Sequence, residues 1–247
     1  MTILFTDRAL LRLHVEAVWG VRLPPIEEHA TDVTLLPESQ RPSWQLCAAV
    51  LSSGSVSIWR PEVAVTQREA QRARANAALA LPPAATTEPG ISREVALHRA
   101  APAKLDTATA RTIARPITAQ DQPLVEAFES GSTPYYFHPD RGPLIGVVSA
   151  GHLLSLAHSS RRTSEACELG IDTLPEARRK GYALAATVLW AEAVAQEGPV
   201  PIYSAAIENE ASLKLAAAAG YRPFARIALV ETTQSIMSSF AAAQDLP

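Results

Sequence analysis

The chain has 247 residues, 47% of them hydrophobic and 19% charged, with a formal net charge of -3 at pH 7. That length accommodates one large domain or two modest ones, and the composition is ordinary for a soluble globular protein. A slightly acidic chain lacks the basic face of a nucleic-acid binder, so no nucleic-acid partner is expected.

No stretch approaches the ~18 apolar residues of a membrane span, and "MTILFTDRALLRLHVEAVWG" scatters acids and bases where a signal peptide keeps an apolar core. Neither a membrane partner nor a leader is expected. Cys47 and Cys167 lie far apart and fit no disulfide framework or metal spacing. Both read as reduced and buried, which points to the cytoplasm, and no metal site is expected.

In chain order, "DRALLRLHVEAVW" places Leu10, Leu11, His14, Val15 and Val18 at helical intervals behind Asp7 as a cap. "WQLCAAVLSSGSVSIWRP" reads as two strands joined at Ser53-Gly54 and ended by Pro61. "TQREAQRARANAALAL" is a helix capped by Thr66. Proline removes backbone donors and restricts its neighbours, so "LPPAATTEPG" reads as a linker at about 82–90. This divides the chain into an N-terminal α/β region, 1–90, and a second domain, 91–247.

Residues 91–110 read as an irregular or helical connector. "RTIARPI" reads as a short strand, and "TAQDQPLVEAFESG" as a helix capped by Thr118 with acids in its first turns. "PLIGVVSAGHLLSLAHSS" alternates around a tight Ser149-Ala150-Gly151 turn, as a hairpin does. "EACELGIDT" is a strand, and "VPIYSAAIE" is another after the intervening helix. "NEASLKLAAAAG" is a helix ended by Gly220, and "RPFARIALVET" a last strand. The order from Arg111 is β-α-β-β-β-α-β-α-β, an α/β sheet with crossovers.

The stretch "TLPEARRKGYALAATVLWAEA" places Arg178, Arg179 and Lys180 immediately before Gly181 and an apolar helix. Cations at a helix N-terminus oppose its dipole unless an anion shares the spot. Free amides there bind phosphate, and a glycine lets the backbone approach it closely. Nothing matches GxxxxGK[ST], no GxGxxG follows a strand, and no GxSxG is present. A solvated basic turn is the bland alternative.

What remains, Arg178-x-x-Gly181-x-Ala183 after "GIDTLPE", resembles the acetyl-CoA signature of the GCN5-related N-acetyltransferases, Q/R-x-x-G-x-G/A. "NEASLKLAAAAGY" resembles that family's second signature, N-x-x-A/S followed by a small-residue helix and G-F/Y, and the spacing and intervening strand agree. The resemblance covers about residues 111–230. It implies a splayed mixed sheet flanked by helices, in which the strand 167–173 parts from the strand 200–206. Coenzyme A would lie in that V: pantetheine on backbone amides of Leu169, Gly170, Ile171, Asp172 and Thr173, pyrophosphate on those from Arg179 through Lys180, Gly181 and Tyr182 to Ala183. Arg178, Arg179 and Lys180 would add charge, and Asn209 and Ser212 would belong to the second signature.

The implied reaction is acetyl transfer from acetyl-CoA to an amine, which must lose a proton before it attacks. Glu168, on the strand beside the thioester, is the first candidate base. The alternative is that Glu168 only orients a neighbour or pairs with Arg161 or Arg162. His158 on the preceding strand is a further candidate, and Glu208 would bind the amine. Asp172 shares a face with Glu168 by alternation and is expected nearer the pyrophosphate. The family's frequent tyrosine, seven residues after the asparagine, is Ala216 here, so no side-chain acid is assigned.

In "ESGSTPYYFHPDRGP", Tyr135, Tyr136, Phe137 and His138 with Asp140 suggest an aromatic wall with a carboxylate for a small-molecule amine, or a turn packed by its own rings. A protein or peptide amine is a second reading. A non-catalytic acyl-CoA-binding module, favoured by Ala216, is a third. Homodimerisation through an edge strand or "TTQSIMSSFAAAQDL" is left open.

Overall fold

A computed structural model describes residues 5–37 and 41–231. In chain order these form α1 (Asp7–Trp19), β1 (Val21–Arg22), β2 (Ala30–Asp32), β3 (Thr34–Leu35), β4 (Trp44–Leu51), β5 (Gly54–Trp59), α2 (Val65–Ala80) and β6 (Ile91–Arg99). There follow α3 (Thr107–Ile113), β7 (Arg115–Pro116), α4 (Gln122–Phe128), α5 (Thr133–Tyr136), β8 (Ile145–Ser149), β9 (His152–Arg162), β10 (Ala166–Thr173), α6 (Tyr182–Glu197), β11 (Val200–Ala206), α7 (Glu210–Ala218) and β12 (Tyr221–Glu231). The segment 232–246, named above for dimerisation, lies outside the described residues.

The described residues divide into two compact units: 5–37, 41–96, 205–210 and 223–231 in the first, 97–204 and 211–222 in the second. The first carries the strand order β2-β5-β4-β12. There β12 pairs antiparallel with β4 from Ala225↔Leu51 to Glu231↔Trp44. Against these strands, Leu46, Trp59, Val63, Ala75, Leu79 and Val230 share an apolar cluster. The second carries the order β11-β10-β9-β8-β7, antiparallel except for the parallel β10–β11 pair.

Four elements differ from the sequence reading. Residues 91–99 form strand β6, not a connector. Its alternation is broken on paper by Arg93, which is 5% exposed. That guanidinium donates to the carbonyls of Leu81, Pro82, Pro83 and Ala85, so it satisfies the end of α2 and the proline-rich segment from inside. Residues 111–113 are helical, not strand, because Asp106 caps α3 by accepting from the Thr109 amide and hydroxyl. Thr66 lies inside α2, whose cap position is Ala64 with no side-chain bond, and Thr6 caps α1 in place of Asp7.

Within the second unit, α6 buries Ala185, Ala186, Val188, Trp190, Ala191 and Val194 against β8, β9, β10 and α3. Its alanines let the helix approach the sheet, and Trp190 Nε1 donates to Ser159 Oγ at 3.3 Å. The opposite face of β9 meets α4 and α5 through Val125, Tyr136, Leu153 and Leu156. The two faces of β10 therefore meet different surroundings.

Candidate functional site

Strands β10 and β11 pair only at Ala166↔Val200, Cys167↔Pro201 and Glu168↔Ile202, while β10 runs on to Thr173 and β11 to Ala206. The sheet opens after Glu168. A bulge at the same level, between Glu168↔Arg161 and Leu169↔Ser159, leaves Ser160 as the extra residue on β9. Glu168, 8% exposed, accepts from Ser160 Oγ at 3.2 Å through Oε2 and from Ser204 Oγ through Oε1. Neither serine was anticipated, since only the register sets them beside Glu168. Arg162 pairs with Glu197 at 2.6 Å instead of Glu168, and Arg161 donates to the Ser160 carbonyl.

Beyond Thr173 the chain turns through Pro175–Ala177 and reaches α6 at Gly181, which has φ +81° and no side chain to cap the helix. Arg179 also has positive φ, +62°. A Cβ built on Gly181 meets nothing within 4 Å, so this face of the helix start opens outward. Arg178, Arg179 and Lys180 are exposed, and Arg178 Nε lies 3.4 Å from the Thr173 carbonyl. Exposed bases beside uncapped amides make a cradle suited to a polyanion. Tyr182 and Ala183 begin the helix, half-buried.

By alternation Glu168, Gly170 and Asp172 share the β10 face toward α4 and α5, whereas Leu169 and Ile171 face α6. Gly170 pairs with His158, and a Cβ there would fall 2.3 Å from the His158 Cε1. Only glycine leaves room for that ring. His158 is 4% exposed, its Nε2 lies 3.2 Å from Tyr135 Oη, and its Nδ1 has no partner. Burial, then the charges of Arg141 and Arg161, push its pKa down to about 4, so the ring is neutral near pH 7.

Tyr135, 41% exposed, is held by the Arg141 guanidinium 4.3 Å from its ring centroid. Tyr136 is buried, and its hydroxyl lies 2.9 Å from Glu129 Oε2 and 3.2 Å from Asp172 Oδ2. Desolvation by partial burial raises the Asp172 pKa, with the Tyr136 bond opposing it. Glu129, Ser130, Gly131, Ser132, Tyr135, Tyr136, His158 and Asp172 line an open cleft of about 400 Å³. Asp172 thus turns its side chain to this cleft. Phe137 packs with the apolar cluster below α4, and Asp140 is exposed.

Ser212 Oγ lies 2.8 Å from Tyr203 Oη, and Ala216 and Tyr221 are fully buried. Glu208 and Asn209 belong to the first unit, exposed in the turn after β11, with the Asn209 amide donating to the Ala206 carbonyl at 2.9 Å. Glu129 was not foreseen. It sits at the C-terminal end of α4, where one acid among many carries no signal of its partner 36 residues beyond Tyr136 in Asp172.

Among solved structures, the chain is similar to an acetyltransferase from the GNAT family of Colwellia psychrerythraea, at 18% identity and TM-score 0.49, over 72% of this chain and 76% of that one. It is also similar to a GCN5-related N-acetyltransferase-like protein from Streptococcus suis 89/1591, at 20% identity and TM-score 0.44, over 57% of this chain and 63% of that one. No curated protein sequence matches it. A family model described as GNAT acetyltransferase matches residues 84–226, more than half of the chain, and the chain belongs to that family.

Proposed function

We propose that the protein is a cytoplasmic, acetyl-CoA-dependent N-acetyltransferase that acts on a primary amine of a small molecule. The observation that carries the reading is the meeting, on one short stretch of chain, of a sheet that opens after Glu168 and a helix that starts uncapped at Gly181. The first offers unpaired strand edge to an amide-bearing chain, and the second offers amides and three bases to its phosphates. These features fit coenzyme A. Backbone amides from Leu169 to Thr173 would hold the pantetheine arm, and those from Arg179 to Ala183 the pyrophosphate. Ser212, already bonded to Tyr203, is assigned to the same ligand.

When bound, acetyl-CoA supplies a thioester whose C–S bond breaks as the amine forms its bond to the acetyl carbon. Glu168 is assigned as the proton acceptor: two serine hydroxyls donate to its oxygens and fix the carboxylate at the point where the strands part. His158 borders the acceptor path as a neutral imidazole. With Ala216 in place of a tyrosine, the departing thiolate takes its proton from water. The cleft, about 400 Å³ and lined by aromatic and acidic groups, has the scale of a small molecule and not of a peptide groove. The buried, free Cys47 and Cys167 support a reducing compartment.

Residues 91–247 are read as the catalytic domain and 1–90 as an accessory region. Because β12 pairs with β4 over Ala225–Glu231, proteolytic cleavage within 82–90 should leave the two fragments associated. One observation favours a non-catalytic acyl-CoA-binding module, the buried alanine at 216, and that reading predicts binding without turnover. The test is thiol release from acetyl-CoA with a panel of primary amines. Glu168→Gln should lower turnover about 100-fold while acetyl-CoA affinity stays close to wild type. Equal turnover in the variant would remove Glu168 as the base, and no thiol release despite tight binding would favour the module.

A further inference from the structure

Two guanidiniums meet on one carbonyl beside Glu168. Arg141 and Arg161 both donate through Nη1 to the Ser160 carbonyl, the second at 2.8 Å. Two such bonds on one oxygen hold the donor nitrogens within about 6 Å of each other, two hydrogen-bond lengths. A guanidinium has five N–H donors, and this contact takes one from each side chain. Arg141 is half-buried, its Nε is buried without a hydrogen-bond partner, and the Tyr135 ring lies 4.3 Å from its guanidinium carbon. Ring and carbonyl together fix this cation in one place.

No carboxylate neutralises the pair. Among the described residues the ion pairs of this unit join Arg111 to Glu192, Arg115 to Asp121, His138 to Asp140 and Arg162 to Glu197, and none reaches Arg141 or Arg161. Like charges this close repel, and a half-buried charge gains most from a partner of opposite sign. Their field extends over the site: after burial, the charges of both arginines push down the pKa of His158. The pair also stands at the base. Glu168 and Arg161 are cross-strand partners, so their side chains share a face. Ser160, whose carbonyl holds both cations, donates through Oγ to Glu168 Oε2 at 3.2 Å. Tyr135, against which Arg141 stacks, lines the open cleft.

We propose that Arg141 and Arg161 form an anion subsite beside Glu168 that receives a carboxylate of the acceptor, so that the substrate is an aminocarboxylate, such as an amino acid. This rests on the acetyltransferase reading of the same site. The carboxylate would take donors from the two guanidinium forks and lie between charges that now only repel. The amine would face Glu168, the assigned proton acceptor. Ser160 alone spans the gap, with its hydroxyl on the base and its carbonyl on the cations. A separation of one residue's width is within reach of a molecule that carries both groups on a short carbon chain.

The test titrates the full-length protein calorimetrically with matched sets of amines, with and without coenzyme A. Each set holds an amino acid, its amide and the amine lacking the carboxylate: leucine, leucinamide and isopentylamine, and likewise for alanine and phenylalanine. Thiol release from acetyl-CoA is measured in parallel. In at least one set the amino acid should bind at least about tenfold more tightly than its amide and amine, as expected for one charge-assisted contact. Arg141→Gln and Arg161→Gln should each shrink that ratio while the affinity of the plain amine stays level, which a merely loosened site would not do. Arg141→Lys keeps the charge and should retain part of the ratio. Equal binding within every set, no binding of any amino acid, or a ratio untouched by both glutamine substitutions would overturn the subsite. If the ratio is found and depends on the arginines but no amino acid releases thiol, the subsite stands and the acetyltransferase reading falls. Thiol release from all members of a set alike would leave acetyl transfer standing without the subsite.

Discussion

At Thr118 the chain enters the turn before α4 through a capping box. The Thr118 side chain and the Asp121 carboxylate bond each other's backbone amides, and Arg115 grips both Asp121 oxygens at 2.7 and 3.0 Å. At Gly181, in the same unit, α6 starts with a glycine, no capping side chain and three exposed bases. The first start stabilises itself, and its acid is placed where a helix dipole favours one. The second gives up that stabilisation and places charge of the opposite sign there. A helix start that forgoes its own cap leaves its amides free for a ligand, which is the role proposed for the turn at Gly181.

The largest effect expected from breaking this contrast is at Gly181. Gly181→Glu should weaken acetyl-CoA binding at least about 100-fold, near 3 kcal/mol, because the carboxylate projects into the open space that the phosphates need. Positive φ adds backbone strain of about 1 kcal/mol, so the loss of thermal stability should be far smaller than the loss of affinity. Unchanged affinity in a calorimetric titration would return the basic turn to an ordinary solvated start.

A comparable effect is expected from His158, measured as stability against pH. Its folded pKa of about 4 lies below its ordinary value of 6.5, so the unfolded chain binds more protons between those values. Stability should therefore fall as pH drops from 6.5 toward 4, by about 3 kcal/mol at most. His158→Gln should flatten that window in urea titrations. An unaltered slope would mean that the ring is not held neutral.

Asp121 acts with the same sign, in a lower pH window. Its bonds to Arg115 and the Thr118 amide hold its pKa below the usual 3.8, so its contribution is full above that value and is lost as pH falls further. Asp121→Asn should cost about 1–2 kcal/mol at pH 7 and leave acetyl-CoA affinity untouched. The smallest effect should be that of Thr118→Ala, about 1 kcal/mol of stability. Altered cofactor binding in either variant would show that the closed start is not merely structural.

Much of the second unit could be read from the chain because its signals are local. Turn, helix start and apolar alternation identified the hairpin around Ala150-Gly151, strand β10 and both helices near the two signatures. Strand β6 could not be read so, since Arg93 breaks its pattern and its reason lies in carbonyls 8–15 residues earlier. Arg111–Ile113 was misread because a short Asp106 cap outweighed β-branched content. At the site, Glu168 and Gly181 were legible as motif positions. The grouping of His158 with Gly170, and of Tyr136 with Glu129 and Asp172, depends on antiparallel register and helix packing, which no single stretch encodes.

The most direct test of the central claim is calorimetric titration of the protein with acetyl-CoA, with ATP and NAD as competing polyanions. Selective binding of acetyl-CoA that disappears in Gly181→Glu is the predicted result. Equal affinity for all three, or none for acetyl-CoA, would contradict it.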